Sequence, residues 1–374
     1  MNIVYGVSGE GLGHVFEALE IVPRLQAEGH RVKVLTYGER ACDALAGFQP
    51  LRIAGLPLYF GPRGLSLSQT LLKNRSLPGF YLRHGRRIQA EVAAFAPDVF
   101  LTAYEPYTTY LAHALKRPLI SMDNQNELLH RPPPRALRGF PYRLACLATR
   151  ICTRGAAYYI VKSFHKTSVT GGHRIRLVSP LIQAQTRRLR PTDCGPVLVY
   201  LTKPNARLIE VLRQVDAWFV IYGDHRPREE GQLQFRARGD SYLPDLGACR
   251  AIVATAGFSL IADAIFLKKP YFGVPLKGQF EQTQNAHYLR AAGIGDFAED
   301  PNPATLARFL RELPDYRRAL AALHFDPTEQ ADVLVELLDR VAAGATLHLG
   351  GFKGAYRRSG EGRRGTRSSR PRTG

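Results

Sequence analysis

Cysteine is scarce in this sequence, and apolar runs of membrane-spanning length are missing. Its 374 residues include five cysteines, an odd number, and no two of them form a C-x-x-C pair. That pattern argues against a disulfide framework or a zinc knuckle and favours a reducing compartment. No apolar run reaches the roughly 18–20 residues of a membrane-spanning helix, and the chain does not open on a basic segment followed by an apolar one. We therefore expect a cytoplasmic protein without a secretory signal.

Acidic residues are absent from two long stretches. Residues 44–90 contain seven Lys and Arg, residues 128–192 contain thirteen, and neither stretch contains Asp or Glu. Residues 1–193 hold 26 basic and 12 acidic side chains, whereas residues 194–349 hold 17 and 19. A basic first half predicts an anionic partner. Residues 350–374 carry 8 basic and 1 acidic side chains without apolar periodicity, and we expect a disordered basic tail there.

Short apolar runs typical of buried strands alternate with amphipathic helical stretches along the chain. In the first helical stretch, apolar residues recur at spacings of three and four from Val15 to Leu25. This alternation predicts an α/β protein with two doubly wound, Rossmann-like domains that face each other across a cleft. The polar stretch QAQTRRLRPTDCGP separates two series of strands, so we expect one domain over residues 1–185 and another over residues 195–349. The predicted strands span residues 2–7, 31–37, 98–104, 117–122, 156–162, 174–180, 197–202, 218–223, 250–257 and 269–275.

The stretch GVSGEGLGH lies between the first predicted strand and the first predicted helix, and it places glycine at positions 9, 11 and 13. Gly9, Gly11 and Gly13 allow another group to approach the backbone closely, and the N–H groups at a helix N-terminus can face an anion. A dinucleotide fingerprint counted from Gly9 would need its third glycine where this chain has His14. The loop therefore favours a phosphate-type ligand over a nicotinamide cofactor.

Three side chains are candidates for acid–base chemistry. His14 begins the first helix, where the positive end of the helix dipole favours a neutral imidazole that can accept a proton. Glu105 and Asp123 each follow a predicted strand, so either could orient His14 or act as the base itself. Both acids are equally compatible with capping or turn roles. No D-x-D pair and no ligand spacing among the histidines is present, so we expect neither a metal nor another cofactor.

A second constellation lies in the segment from Thr255 to Gly295. The tripeptide Gly257-Phe258-Ser259 falls between a predicted strand and a helix, where backbone N–H groups can bind phosphate. Asp263 follows one helical turn later, and a loop bearing Glu281 and Gln282 comes next. A phosphate site, a carboxylate for a ribose diol and an acid–amide pair for sugar hydroxyls suit a nucleoside-diphosphate sugar. A plain strand–turn–helix unit with a capping serine is the alternative.

This segment resembles the donor-binding region of nucleotide-sugar glycosyltransferases of the GT-B fold, in the UDP-glycosyltransferase superfamily. The motifs SGEGLGH, DNQ and AGFSL are similar to those of a branch related to the peptidoglycan N-acetylglucosaminyltransferase. The family usually has Glu where this chain has Asp263, and plant-type members have His where it has Thr255. The resemblance implies diphosphate contacts from Gly257, Phe258 and Ser259, a ribose contact from Asp263, sugar contacts from Glu281 and Gln282, and a place for Phe235 beside the base.

The resemblance also implies an activity. We expect a hexosyltransferase that moves sugar from a nucleoside-diphosphate donor, UDP-linked above all, to an acceptor hydroxyl, with inversion and without a metal. The segment 57–87 mixes apolar side chains with six basic residues, which predicts an anionic membrane surface and a lipid-linked or glycolipid acceptor. Attachment to the inner face of the cell membrane would follow. The alternatives are a sugar-nucleotide epimerase on the same fold and a basic nucleic-acid-binding protein, although no nucleic-acid-binding module is recognisable.

Overall fold

The computed structural model describes residues 1–343 apart from 11, 58, 62–63, 132, 134, 165–173 and 225. The first half of the chain forms a seven-stranded sheet in the order β3-β2-β1-β6-β7-β8-β9, in which every neighbouring pair is parallel. Its strands are β1 (Asn2–Val7), β2 (Arg31–Thr36), β3 (Leu51–Arg52), β6 (Val99–Ala103), β7 (Leu119–Asp123), β8 (Tyr158–Lys162) and β9 (Ile175–Val178), and β4 (Phe60–Gly61) pairs with β5 (Gly64–Leu65) in a separate hairpin.

Helices connect these strands and cover both faces of the sheet. Their apolar side chains and those of the strands form two buried clusters, one on each face. The helices are α1 (Gly13–Ala27), α2 (Glu39–Ala44), α3 (Leu67–Lys73), α4 (Leu77–Ala94), α5 (Pro106–Ala114), α6 (Glu127–His130) and α7 (Phe140–Thr153), with short 3₁₀ turns at Ala46–Phe48 and Arg135–Leu137.

The second half forms another seven-stranded sheet, in the order β12-β13-β11-β10-β14-β15-β16. Only the edge strand β12 runs antiparallel to its neighbour. The strands are β10 (Gly195–Tyr200), β11 (Phe219–Tyr222), β12 (Arg228–Glu230), β13 (Leu233–Arg236), β14 (Cys249–Ala254), β15 (Tyr271–Gly273) and β16 (Gly295–Phe297). The helices are α8 (Ala184–Arg187), α9 (Ala206–Arg213), α10 (Tyr242–Ala248), α11 (Phe258–Phe266), α12 (Phe280–Ala291), α13 (Pro303–Arg311), α14 (Leu313–Ala322) and α15 (Glu329–Ala342).

Both sheets follow the doubly wound plan that the sequence predicts, which confirms the fold class. In each sheet the strand order reverses beside a central strand, between β1 and β6 in the first and between β10 and β14 in the second. Ligands of such sheets bind beyond the carboxyl ends of the strands at these reversal points. The loops that follow β1 and β14 therefore lie where a site is expected. In the described part of the chain, no helix has the length and hydropathy that a membrane span requires.

The last helix, α15, returns to the first half of the chain. Leu334, Leu337 and Leu338 belong to the same buried cluster as the apolar side chains of β1 and α1. Polar contacts fix the same packing, because Arg24 bonds Asp332 at 2.7 Å. Any division of this chain into two domains at residues 185–195 thus has to place α15 with the first sheet.

The packing of α15 can be tested at Leu334, which is fully buried. Leu334→Ala should lower the free energy of unfolding by about 2–5 kcal/mol, because it removes buried methyl groups and leaves a cavity. Thermal unfolding followed by circular dichroism measures the effect. Glu336→Ala, an exposed position on the same helix, is the control. Equal unfolding midpoints for the two variants would contradict the packing.

Candidate active site

In the loop after β1, Gly9 is needed for close backbone packing, and Gly13 faces a side chain of the second half of the chain. A Cβ atom on Gly9 would lie 1.8 Å from the carbonyl oxygen of Tyr37, and one on Gly13 would lie 2.9 Å from Ser259 Oγ. Gly11 falls outside the described residues. The group that approaches Gly9 is therefore the end of β2, whereas the group that approaches Gly13 comes from the second half of the protein.

Two helix N-termini meet at this point. Helix α1 begins at Gly13 and α11 begins at Phe258, and neither helix has a side chain that caps its first N–H groups. Those groups have no partner within a helix, and they form the positive end of its dipole. Beside Gly257, the N-cap residue of α11, a Cβ atom would meet no other atom within 4 Å. The arrangement presents N–H donors from both halves of the chain to one open space.

A cavity of about 220 Å³ lies between the two sheets, beside the helix N-termini. Both halves of the chain line it. The first half contributes Glu10, Gly13, His14, Phe16, Glu17, Glu20, Asn124, Gln125, Lys162, Pro180, Leu181 and Gln183, and the second half contributes Phe258, Ser259, Ala262, Asp263, Glu281 and Gln330.

A buried cluster of polar side chains forms one wall of the cavity. Lys162, at the end of β8, donates to Glu17 Oε2, and the Gln330 amide of α15 donates to Glu17 Oε1. His14 Nδ1 lies 3.8 Å from Glu17 Oε2. Burial raises the pKa of Glu17, but the charge of Lys162 and the His14 ring outweigh burial and bring that pKa down to about 2. Glu17 is therefore ionised at neutral pH.

The two halves are also joined across the cavity by Glu281. Its Oε1 accepts from Asn124 Nδ2 at 2.9 Å, and its Oε2 accepts from Gln125 Nε2 at 3.2 Å. Asn124 and Gln125 belong to the DNQ motif after β7. A carboxylate has about four acceptor positions, so these two bonds leave capacity for further donors such as sugar hydroxyls.

Three of the acidic side chains that line the cavity are compensated. Glu17 pairs with Lys162, and Glu20 pairs with Arg187 at 3.0 Å. Burial raises the pKa of Asp263 to about 7, opposed in part by a hydrogen bond from Thr186. Much of the negative charge that would repel a diphosphate is thus neutralised or protonated.

Neither Glu105 nor Asp123 lines the cavity. The Glu105 carboxylate caps α5, because it accepts from the backbone N–H groups of Tyr107 at 2.9 Å and Thr108 at 2.6 Å. Asp123 accepts from the Asn126 backbone at 2.7 Å, and burial raises its pKa to about 6. The structure therefore places both acids in the capping and turn roles that the sequence left open.

Gln282 and Phe235 also lie away from the cavity lining. Gln282 Oε1 accepts from the Leu276 backbone at 3.0 Å, which fixes the preceding loop. Phe235 is only 3% exposed within the core of the second sheet, with the Arg228 guanidinium over its ring. The structure brings together His14, Gly13, Phe258, Ser259, Asp263 and Glu281 from the sequence prediction.

The sequence did not single out Glu17, Lys162 or Gln330. Glu17 carries a local signal, because it lies one helical turn after His14 and interrupts the apolar face of α1. Lys162 ends an otherwise apolar strand. Gln330 has no local signal, since its place in the site depends on how α15 packs.

The raised pKa of Asp263 makes a prediction about stability. A carboxyl with a raised folded-state pKa stabilises the fold below its ordinary pKa, near 4, and loses that contribution as the pH rises through about 7. Asp263→Asn should therefore raise the thermal midpoint at pH 8 and change it less at pH 5. The exposed Asp240→Asn is the control. The same difference at both pH values would contradict the assignment.

Comparisons with known proteins agree with this architecture. Residues 1–314 match the model of Glycosyl transferase family 1. The glycotransferase of kitacinnamycin superposes with a TM-score of 0.63 at 16% identity, over 91% of this chain and 98% of that one. The calicheamicin glycosyltransferase CalG4 gives 0.62 at 17% identity, over 91% and 99%. The spinosyn rhamnosyltransferase SpnG complexed with thymidine diphosphate gives 0.57 at 14% identity, over 90% and 100%. No curated protein sequence matches the chain. The chain belongs to glycosyl transferase family 1 and is a glycosyltransferase of the GT-B fold.

Proposed function

We propose that this glycosyltransferase moves a hexose from a nucleoside-diphosphate sugar to an acceptor hydroxyl in the cavity between its two sheets. The second sheet with the helices that pack on it would hold the donor, and the acceptor would enter from the side of the first sheet. The observation that carries the proposal is the meeting of two uncapped helix N-termini at Gly13 and Ser259, beside His14.

The donor diphosphate would bind at the N-terminus of α11, where Gly257, Phe258 and Ser259 present backbone N–H groups and a hydroxyl. Glu281 would accept hydrogen bonds from the sugar, and Asp263 would meet the ribose. A cavity of about 220 Å³ is smaller than the pocket of a whole drug-sized ligand, so the base would extend beyond it. The sequence resemblance favours UDP as the carrier.

His14 would act as the general base. Its Nδ1 is turned toward Glu17, which leaves Nε2 to face the acceptor. The acceptor hydroxyl gives its proton to Nε2 while its oxygen bonds the anomeric carbon. The bond from that carbon to the diphosphate oxygen breaks, and its electron pair leaves with the diphosphate. A single displacement of this kind inverts the anomeric carbon, and the two helix N-termini stabilise the leaving charge without a metal.

Two variants test these assignments. His14→Ala should lower turnover roughly 100-fold or more, because a positioned base contributes about 10²–10⁴, while the Kd of the donor stays within twofold. Thermal shift over UDP- and dTDP-sugars first identifies the donor. Turnover is then the release of nucleoside diphosphate with water or a lipid extract as acceptor. Conversion of the donor to an epimeric sugar nucleotide without an acceptor, and without net release of nucleoside diphosphate, would favour the sugar-nucleotide epimerase instead.

Glu281→Ala is the complementary variant. It should weaken binding of the nucleotide sugar while leaving the Kd of the free nucleoside diphosphate nearly unchanged. Equal loss for both ligands would overturn the sugar contact, and loss of donor binding with normal turnover in His14→Ala would overturn the base.

We also propose that the first half docks on an anionic membrane and takes a lipid-linked acceptor. Eight large apolar side chains are strongly exposed in the described part of the chain, and seven of these lie on α3, α4, α5 and α7. Leu82 is 83% exposed and Phe140 is 70% exposed. We call this set the apolar face; its members are Leu71, Leu72, Leu82, Tyr110, Phe140, Leu147 and Ile151.

Three of the helices that carry the apolar face, α4, α5 and α7, pack side by side. The Tyr81 ring of α4 stacks on Tyr107 of α5 at 4.2 Å, and Thr109 of α5 donates to the backbone of Cys152 in α7. Exposed basic side chains are interspersed with the apolar ones, as on interfacial helices. They are Lys73, Arg75, Arg83, Arg86, Arg87, Arg143, Arg150 and Arg154.

The apolar face borders the candidate active site. On α7, Tyr142 packs against Phe280 with ring centroids 5.4 Å apart, and Phe280 directly precedes Glu281. A lipid-linked acceptor could therefore reach the cavity from a membrane under α7.

The docking prediction uses vesicles of phosphatidylglycerol and phosphatidylcholine. The double variant Leu147→Ser, Ile151→Ser should reduce vesicle binding about tenfold or more, since each buried apolar side chain contributes about 1.5–3 kcal/mol. Trp218→Ser, the exposed apolar position away from this face, is the control. Unchanged binding in the double variant, or equal binding to pure phosphatidylcholine, would overturn the docking surface. Tight binding to an oligonucleotide in its place would favour the nucleic-acid alternative.

A further inference from the structure

Glu17 is the centre of a buried polar cluster that joins three separate elements. It lies on α1, Lys162 lies on β8, and Gln330 lies on α15. Each of the three side chains is at most 7% exposed. Both carboxylate oxygens are occupied, Oε2 by the ammonium of Lys162 and Oε1 by the amide of Gln330. Gln330 is itself held, because its Oε1 accepts from the Leu181 backbone at 3.3 Å. Such a cluster fixes the carboxylate in one orientation.

His14 lies on the open side of this carboxylate. Its Nδ1 is buried, makes no hydrogen bond, and lies 3.8 Å from Glu17 Oε2. The ring is nearly parallel to that of Tyr104, at an interplanar angle of 12° and a centroid distance of 6.4 Å. A shift of under about 1 Å would bring Nδ1 into hydrogen-bond range, and catalytic hydrogen bonds are often this long before substrate binds.

We propose that Glu17 is the positioning residue of His14, and that Lys162 and Gln330 hold it in place for this role. The inference rests on the proposed function of His14 as the base. With its proton kept on Nδ1 by Glu17, the ring presents the lone pair of Nε2 to the acceptor. After proton transfer, the negative carboxylate stabilises the imidazolium. The helix α15 thereby completes the site, because Gln330 comes from the far end of the chain.

The alternative acids do not compete for this role. Glu105 uses both carboxylate oxygens to cap α5, and Asp123 accepts from Asn126 and Ser121. Asp123 on β7 and Lys162 on β8 nevertheless interact through their charges, because burial raises the pKa of Asp123 and the ammonium of Lys162 opposes that rise. Tyr5 on β1 also faces Glu17, and Asp263 and Glu281 line the opposite side of the cavity. Among these acids of the described residues, Glu17 approaches His14 Nδ1 to 3.8 Å.

The ionisation of Glu17 supports the role. The pKa of Glu17 is lowered to about 2, so the carboxylate stays charged from about pH 4 upward. A lowered pKa stabilises the folded protein at pH values above the ordinary pKa of a glutamate. This contribution to the free energy of unfolding is lost only as the pH falls toward 2. Glu17 thus stays negative throughout the range from pH 5 to pH 9.

The experiment compares Glu17→Gln, Glu17→Asp and Glu20→Gln. Histidine labelled with carbon-13 is followed by NMR from pH 5 to pH 9, and the His14 signal is identified by its loss in His14→Ala. In Glu17→Gln the midpoint of the His14 titration should fall by about one pH unit or more, because an opposite charge at this distance is removed. Glu17→Asp should retain most of the midpoint, since it keeps the charge. Glu20→Gln removes another acid of the same helix and should leave the midpoint within about 0.3 unit.

Turnover of the donor is measured on the same variants. Glu17→Gln should lower it roughly tenfold or more, with donor Kd within twofold, and Glu17→Asp should restore part of the loss. If Glu17→Gln does not fold, Gln330→Met replaces it, because this variant keeps the Glu17–Lys162 pair and should lower turnover with unchanged donor Kd.

The outcomes separate this inference from the proposed function. Suppose that His14→Ala loses turnover, whereas Glu17→Gln shows an unchanged His14 midpoint or normal turnover. That result would overturn the positioning role alone. Normal turnover in both His14→Ala and Glu17→Gln would overturn the base and the positioning role together. A shifted midpoint with reduced turnover supports both.

Discussion

The approach of two helix N-termini at Gly13 and Ser259 is the constraint on which the site depends. A Cβ atom at position 13 would lie 2.9 Å from Ser259 Oγ, so the loop after β1 directly faces the second half of the chain at this point. The contact places N–H donors of both helices at one point without capping side chains. Such donors stabilise negative charge where a diphosphate would leave.

The same closeness brings acidic side chains together, and the structure compensates them individually. Glu17 and Glu20 are each paired with a cation, Asp263 has its pKa raised by burial, and Glu281 is bonded to two amides. Burying a carboxylate is costly unless it is paired, hydrogen-bonded or protonated. A cavity lined by these groups can accept an anionic ligand beside the helix N-termini because the charges of Glu17 and Glu20 are paired with cations and burial raises the pKa of Asp263.

The C-terminal helix connects stability with the site. Leu334, Leu337 and Leu338 bury their side chains against the first sheet, while Gln330 reaches the carboxylate of Glu17. The apolar side chains that pack on the sheet and the amide that contacts Glu17 belong to one helix. The packing of the apolar core therefore sets the position of the Gln330 amide. Helices α4 and α5 pack on the opposite face of the first sheet, and Tyr142 of α7 packs against Phe280, the neighbour of Glu281.

The amino-acid sequence by itself determined the two doubly wound sheets, the family, and the strand–glycine–helix units at Gly13 and Gly257. These are local features, because strand runs, helix starts and glycine positions depend on neighbouring residues. The longer predicted strands match the structure closely, whereas β3, β12 and β16 are two or three residues long and carry no periodic signal. Only the tertiary structure decided that Glu105 and Asp123 satisfy backbone N–H groups, that Phe235 belongs to a core, and that Glu17, Lys162 and Gln330 converge. The physical reason is that the partner of a buried charge is chosen by packing across the chain, and Glu17 and Gln330 are 313 positions apart.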